Sequence, residues 1–182
     1  MSNTSSEWRS PQLVRDLKPE RPGYPERVTA VDYDTALALL FYKLHNELYE
    51  VETDPNSAEE VADFLTAIGS LRDAVEWAWN DADRELAVPQ EAFTQALLPI
   101  EHQVTETSST PFTRIHRMIE HWARNMLHVP TYSAIIVELA RASAQNGIKA
   151  TDVSQHFERK LIRYGAFNGH LLWQSTEFQR PA

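Results

Sequence analysis

Four carboxylates stand in two pairs on neighbouring stretches of this chain. Glu47 and Glu50 lie in Leu44-His45-Asn46-Glu47-Leu48-Tyr49-Glu50, and Glu60 and Asp63 in Glu59-Glu60-Val61-Ala62-Asp63-Phe64-Leu65. A three-residue spacing on a helix brings both members of a pair to one flank. Two roles suit such pairs: a solvated surface, or a divalent cation held by hard oxygen ligands, Mg²⁺ or Mn²⁺. Four ionised carboxylates at close range raise one another's pKa unless a cation neutralises them.

The elements that must position these acids are legible from periodicity. Leu37, Leu40, Phe41, Leu44, Leu48 and Val51 recur at helical spacing, as do Val61, Phe64, Leu65, Ile68, Leu71 and Val75. At about 100° per residue, Glu47 falls about 60° and Glu50 about 120° from Leu44, with Lys43 between them. Glu60 and Asp63 fall about 80° and 140° from Ile68, so both pairs border the apolar seam. Asp54-Pro55-Asn56-Ser57 reads as a turn and a helix start. If the two helices pair antiparallel across it, the acid pairs meet at one end. Ser57 with Glu60 and Asn56 with Glu59 are equally good capping boxes, and the sequence leaves both open.

Elsewhere the pattern is almost entirely helical. Pro11, Pro19, Pro22 and Pro25 forbid a regular helix before Tyr33 and predict an extended, wrapping segment. The second acid helix runs from about Ser57 to Trp79, where Trp77 reads as packing or a subunit contact in preference to base stacking. A short helix follows Pro89 and stops by Pro99. Thr110-Pro111 starts another, carrying Ile115, Met118, Ile119, Trp122, Ala123, Met126 and Leu127. Its His116, Glu120 and His121 form HxxxEH, which is not a zinc-peptidase spacing, and His128 follows; a surface ion pair or core-edge role is expected. A helix near Thr131 to Gln145 uses Tyr132, Ile135, Ile136 and Leu139 and ends at Asn146-Gly147. Thr151 caps a last helix to Tyr164, with Val153, Phe157, Leu161 and Tyr164 inward. Leu171-Leu172-Trp173 reads as a short extended tail.

With 182 residues the chain suffices for one well-buried domain. A net charge of -9 excludes a general nucleic-acid backbone binder. The absence of cysteine excludes disulfides and thiolate metal sites. No apolar run approaches a membrane span and the start is not a signal peptide, so a soluble cytoplasmic protein is expected.

Three separated segments together resemble the all-α nucleoside triphosphate pyrophosphohydrolases, the MazG-like group that includes phosphoribosyl-ATP pyrophosphohydrolase. The acid pairs are similar to its ExxE…ExxD signature. One branch opens with a segment like Leu-Val-Arg-Asp-Lys-Ile-Pro-Glu, against Leu13-Val14-Arg15-Asp16-Leu17-Lys18-Pro19-Glu20 here. That branch closes on a Lys-bearing helix running into Gly-Gly-Phe and an apolar strand, against the run from Lys160 through Gly165-Ala166-Phe167 to Trp173 here. The chain departs in three places. The family's Lys falls on Leu17, with Lys18 displaced by one; its Arg falls on Tyr164, with Arg163 adjacent; and Ala166 replaces a Gly. The resembled domain is shorter, so about residues 80–130 read as a helical insertion in a single domain spanning 1–182. The insertion's apolar face needs cover from the domain itself or from a second subunit.

The resemblance implies an all-α helical bundle that hydrolyses a nucleotide between its α- and β-phosphates to monophosphate and pyrophosphate. It implies Mg²⁺ (or Mn²⁺) on Glu47, Glu50, Glu60 and Asp63, with Glu50 alternatively orienting water. Arg15, Lys18, Lys43, Lys160 and Arg163 are candidates for neutralising phosphate, and Phe167 belongs to the closing turn. Lys43 equally has the spacing for an ion pair with Glu47. A homo-oligomer, dimer or tetramer, is a further implication. Two other readings stay open: a degenerate member that binds nucleotide or a protein without hydrolysis, and an unrelated bundle whose acids are solvated.

Overall fold

A computed structural model describes residues 12–14, 28–79, 88–100, 111–124, 129–168 and 171–173. Six helices form its body: α1 (Tyr33–Thr53), α2 (Ala58–Trp79), α3 (Pro89–Leu97), α4 (Pro111–Arg124), α5 (Val129–Gln145) and α6 (Ala150–Tyr164). This is an all-α bundle carrying a minor three-stranded sheet, β1 (Gln12–Val14), β2 (Val28–Ala30) and β3 (Leu171–Trp173). The expected extended tail is β3, the central strand. It is antiparallel to both neighbours, with Leu172 opposite Leu13 on one side and Thr29 on the other. The stretch between β1 and β2, which holds Pro19, Pro22 and Pro25 of the expected wrapping segment, lies outside the described residues.

Local chemistry sets the helix boundaries. Asp32 caps α1, its carboxylate accepting from the Thr35 N–H at 2.9 Å. α1 ends where Pro55 drives Asp54 out of helical geometry, to φ -125 and ψ 73. Ser57 is the cap of α2: its hydroxyl accepts from the Glu60 N–H at 3.3 Å, while its own N–H donates to Asp54 O. The capping choice left open by the sequence therefore falls on Ser57. α5 closes in a Schellman turn, with Gly147 at φ 71, Gly147 N–H on Ala144 O and Ile148 N–H on Ser143 O. Thr151 does not cap α6. The cap position is Lys149, two residues earlier, and it makes no side-chain cap hydrogen bond.

The four-residue connection folds α2 back on α1, and Tyr33 at the start of α1 donates its hydroxyl to Ala74 O near the end of α2, at 2.9 Å. Both apolar stripes converge: Leu40, Leu44, Leu48, Val61, Phe64, Leu65, Ile68, Leu71 and Val75 are all fully buried. Phe93, Leu97, Ile115, Ile119 and Trp122 join the same core. Trp122 packs edge-on to Phe41 at 5.8 Å and against Tyr132 at 5.6 Å. The apolar faces of α3 and α4 are therefore covered by the domain itself. Gly69 permits the closest approach of α3, since a Cβ there would meet Pro89 Cγ at 3.2 Å.

Of the four α6 residues expected inward, Leu161 is not, and Tyr164 is only half-buried. Leu161 is 40% exposed, although Val153 is buried and Phe157 packs on the core. Lys160 turns toward α2, and the next residue, about 100° further round, leaves that face. Trp77, Met126, Leu127 and His128 lie outside the residues whose side chains are described. Among the described residues no helix is long and apolar enough to cross a membrane.

Candidate metal centre

The turn after α1 brings the two acid pairs together, but not equally. Glu47, on the seam between α1 and α2, is only 3% exposed. It forms an ion pair through Oε1 with Lys43, one helical turn earlier. Its Oε2 is buried and has no hydrogen-bond partner. Carboxylate oxygens of Glu47, Glu60 and Asp63 all lie within 4.8 Å of one another. Glu50 stands beside this trio at the more exposed rim, within hydrogen-bonding reach of Glu47 and Glu60. Of the four acids expected to act as one set, three converge and the fourth flanks them.

α6 supplies the counter-charge from the other side. Lys160 Nζ lies 2.5 Å from Asp63 Oδ2 and 2.7 Å from Glu59 Oε1. Lys43 Nζ sits 5.8 Å from the centre of the Phe167 ring, which is buried. The chain after α6 is pinned to α2. Gly165 turns at φ 73, the Phe167 N–H donates to Ser70 Oγ at 3.0 Å, and the Asn168 amide donates to Asp73 Oδ2 at 3.1 Å.

The electrostatics follow from this crowding. Burial pushes the Glu47 carboxyl up to about 7; Lys43 opposes the shift, and Asp63 and Glu50 add to it. Burial also raises Glu50, against Lys43 and with Glu60. Glu60 is raised by burial and by Asp63, with Lys160 opposing. Hydrogen bonding to Lys160 holds Glu59 below its usual range. Burial alone would lower Lys43 and Lys160, but the surrounding carboxylates hold both above the usual lysine value.

The remaining sequence candidates are placed differently. Arg163 is exposed, its guanidinium 5.1 Å from the centre of the Tyr164 ring. Arg15 and Lys18 lie outside the described residues. Two of the HxxxEH side chains take ion-pair positions: His116 Nε2 is 3.6 Å from Glu52 and Glu120 is 3.5 Å from Arg124. Three residues of the centre escaped the sequence reading, namely Glu59, Ser70 and Asp73. Steps of four, seven and three along α2 carry Glu59, Asp63, Ser70 and Asp73 along one flank, a periodicity of polar residues that could have identified them.

Chemically, this is a hard-oxygen donor set with two ammonium groups on its rim. A buried carboxylate with one unpartnered oxygen, grouped with two further carboxylates, fits a divalent cation such as Mg²⁺, Mn²⁺ or Ca²⁺. Comparison with protein-family models, with curated proteins and with solved structures finds no match.

Proposed function

We propose that this chain is a metal-dependent nucleotide pyrophosphohydrolase, cleaving a nucleoside triphosphate or related nucleotide into monophosphate and pyrophosphate. The observation carrying this reading is the convergence of Glu47, Glu60 and Asp63 from α1 and α2, with Lys160 of α6 placed on Asp63. The similarity of the acid pairs and closing segment to the MazG-like enzymes points to the same activity.

Glu47, Glu60 and Asp63 would hold the cation, with Mg²⁺ the ion the resemblance implies. A bound divalent ion supplies charge neutralisation across phosphate oxygens and lowers the pKa of water. Glu50, at the rim, would orient the attacking water and accept its proton. The water oxygen forms the new P–O bond, and the bond that breaks lies in the bridge between the α- and β-phosphates. Lys160 and Lys43 neutralise charge gathering on the phosphate oxygens. Phe167 supports Lys43, and Gly165 lets the following turn fold back onto α2. Arg15, Lys18 and Arg163 are further phosphate-binding candidates, and a homo-oligomer remains part of the proposal.

The test is pyrophosphate release from a panel of ribo- and deoxyribonucleoside triphosphates with Mg²⁺ or Mn²⁺, beside Asp63→Ala. Metal-dependent release that disappears in the variant supports the enzyme and ranks its substrates. Absence of release from every nucleotide, with wild type and variant alike, rejects hydrolysis of this class and leaves a binding role.

A further inference from the structure

Lys160 reaches the metal centre from α6, and two carboxylates of α2 receive it. Its Nζ lies 2.5 Å from Asp63 Oδ2 and 2.7 Å from Glu59 Oε1. Those carboxylates stand one turn apart on α2, about 40° round the helix, so one ammonium group spans both. They differ in their surroundings. Asp63 belongs to the carboxylate trio with Glu47 and Glu60, and its side chain is only 18% exposed. Glu59 lies outside the trio and is 53% exposed. The Lys160 side chain is itself only 14% exposed, so its ammonium group has lost most of its water and depends on these partners. A divalent ion and an ammonium group on the same carboxylate repel twice as strongly as two unit charges. Glu59 is the partner that can keep the ammonium group when an ion takes Asp63.

Resting on the metal-centre part of the proposed function, we infer that Lys160 is the counter-cation of the metal-free centre and that Glu59 is a positioning residue that retains it when a divalent ion takes Asp63. Ion uptake is then a cation exchange on Asp63. The ion displaces the ammonium group from Asp63 but not from the centre, because Glu59 holds it one turn away. Lys160 thereby stays within reach of substrate phosphate oxygens, where its charge is needed. Lys43 differs, since it pairs with Glu47 along its own helix. Lys160 comes from α6 and so couples the docking of that helix to the loading of the centre.

The experiment is Mn²⁺ binding to the whole chain without nucleotide, counted by electron paramagnetic resonance, for wild type, Lys160→Met, Glu59→Gln and the double variant. Lys160→Met should tighten Mn²⁺ binding about fivefold to tenfold by removing the competitor. Glu59→Gln should weaken it about threefold to tenfold by leaving the ammonium group on Asp63 alone. In the Lys160→Met background Glu59→Gln should change binding less than about twofold, because Glu59 acts through Lys160. Equal weakening in both backgrounds would make Glu59 a general charge and overturn the inference. Unchanged affinity in Lys160→Met would also overturn it, while leaving the metal centre standing. No Mn²⁺ binding by any of the four proteins would overturn centre and inference together. Tighter binding in Lys160→Met, with no pyrophosphate release from wild type, would keep the exchange and reject hydrolysis. Wild type alone gives a second answer: Mg²⁺ should shift the Lys160 ammonium resonance in step with binding. An unmoved resonance at saturation would overturn the exchange even if a variant failed to fold.

Discussion

Glu47 and His45 are two residues apart on α1, yet they belong to different worlds. About 200° of helical rotation separates them, so Glu47 enters the seam shared by α1, α2 and α6 while His45 meets α4. On the Glu47 side, one buried carboxylate is crowded by two half-buried ones and countered by lysines. On the His45 side, two imidazoles sit at the edge of the core with a carboxylate behind one of them. Burial makes the first flank costly to ionise and therefore dependent on cations. On the second flank the two half-buried imidazoles share a hydrogen bond through their Nδ1 atoms at 3.2 Å. One helix thus presents a carboxylate cluster and an imidazole pair without mixing them, because the bundle assigns each flank to a different neighbour.

The sharpest way to break this contrast is to remove a buried oxygen donor. Glu47→Ala and Asp63→Ala should each lower metal-dependent pyrophosphate release about a hundredfold or more, with Mg²⁺ no longer raising the melting temperature. Persistence of both responses would reject these acids as a catalytic metal centre. Lys160→Met should reduce kcat roughly tenfold to a hundredfold by removing the ammonium group beside Asp63 and Glu59.

The pH response separates burial from mere acidity. Glu47 titrates at about 7 when folded, against an ordinary 4.5. Its folded-state pKa is raised, so folding takes up a proton between these values. The stability it contributes is complete below about pH 4.5 and is lost as pH rises through about 7. Melting of the metal-free chain across that window should fall more steeply for wild type than for Glu47→Gln. Added Mg²⁺ should offset the loss on the alkaline side by binding the ionised form. Parallel melting curves for the two proteins would remove Glu47 as the cause.

Smaller effects test the frame around the centre. Gly165 holds φ 73 with ψ -170, a conformation open essentially to glycine, so Gly165→Ala should cost about 1–3 kcal/mol in denaturant unfolding. Ser70→Ala should cost a similar 1–3 kcal/mol by stranding the buried Phe167 N–H. Least of all, Arg124→Ala removes only an exposed ion pair with Glu120 and should shift stability by less than about 0.5 kcal/mol.

Much of the fold was legible because helical periodicity is a local property. The stripes from Leu40 to Val51 and from Val61 to Val75 lie on the core as expected, and Pro55, Pro89 and Gly147 mark boundaries where their backbone constraints act. Thr151 misled because its capping chemistry was available but the helix had already begun after Lys149. Leu161 misled because apolar character does not reveal which face its neighbour occupies, and Lys160 claimed that face. Glu59 was read as an alternative capping-box residue, whereas its carboxylate pairs with Lys160, about a hundred positions along the chain.

By itself, then, the sequence determined the helical class, the two acid pairs and the turn that brings them to one end, all set by spacings of a few residues. Only the tertiary structure decided that Glu47, Glu60 and Asp63 form the inner group while Glu50 flanks it, that Lys160 and the turn at Gly165 close over α2, and that His45 faces His116. Those choices depend on which helix covers which flank. That is settled by burying apolar stripes from distant parts of the chain against one another, and no local spacing encodes it.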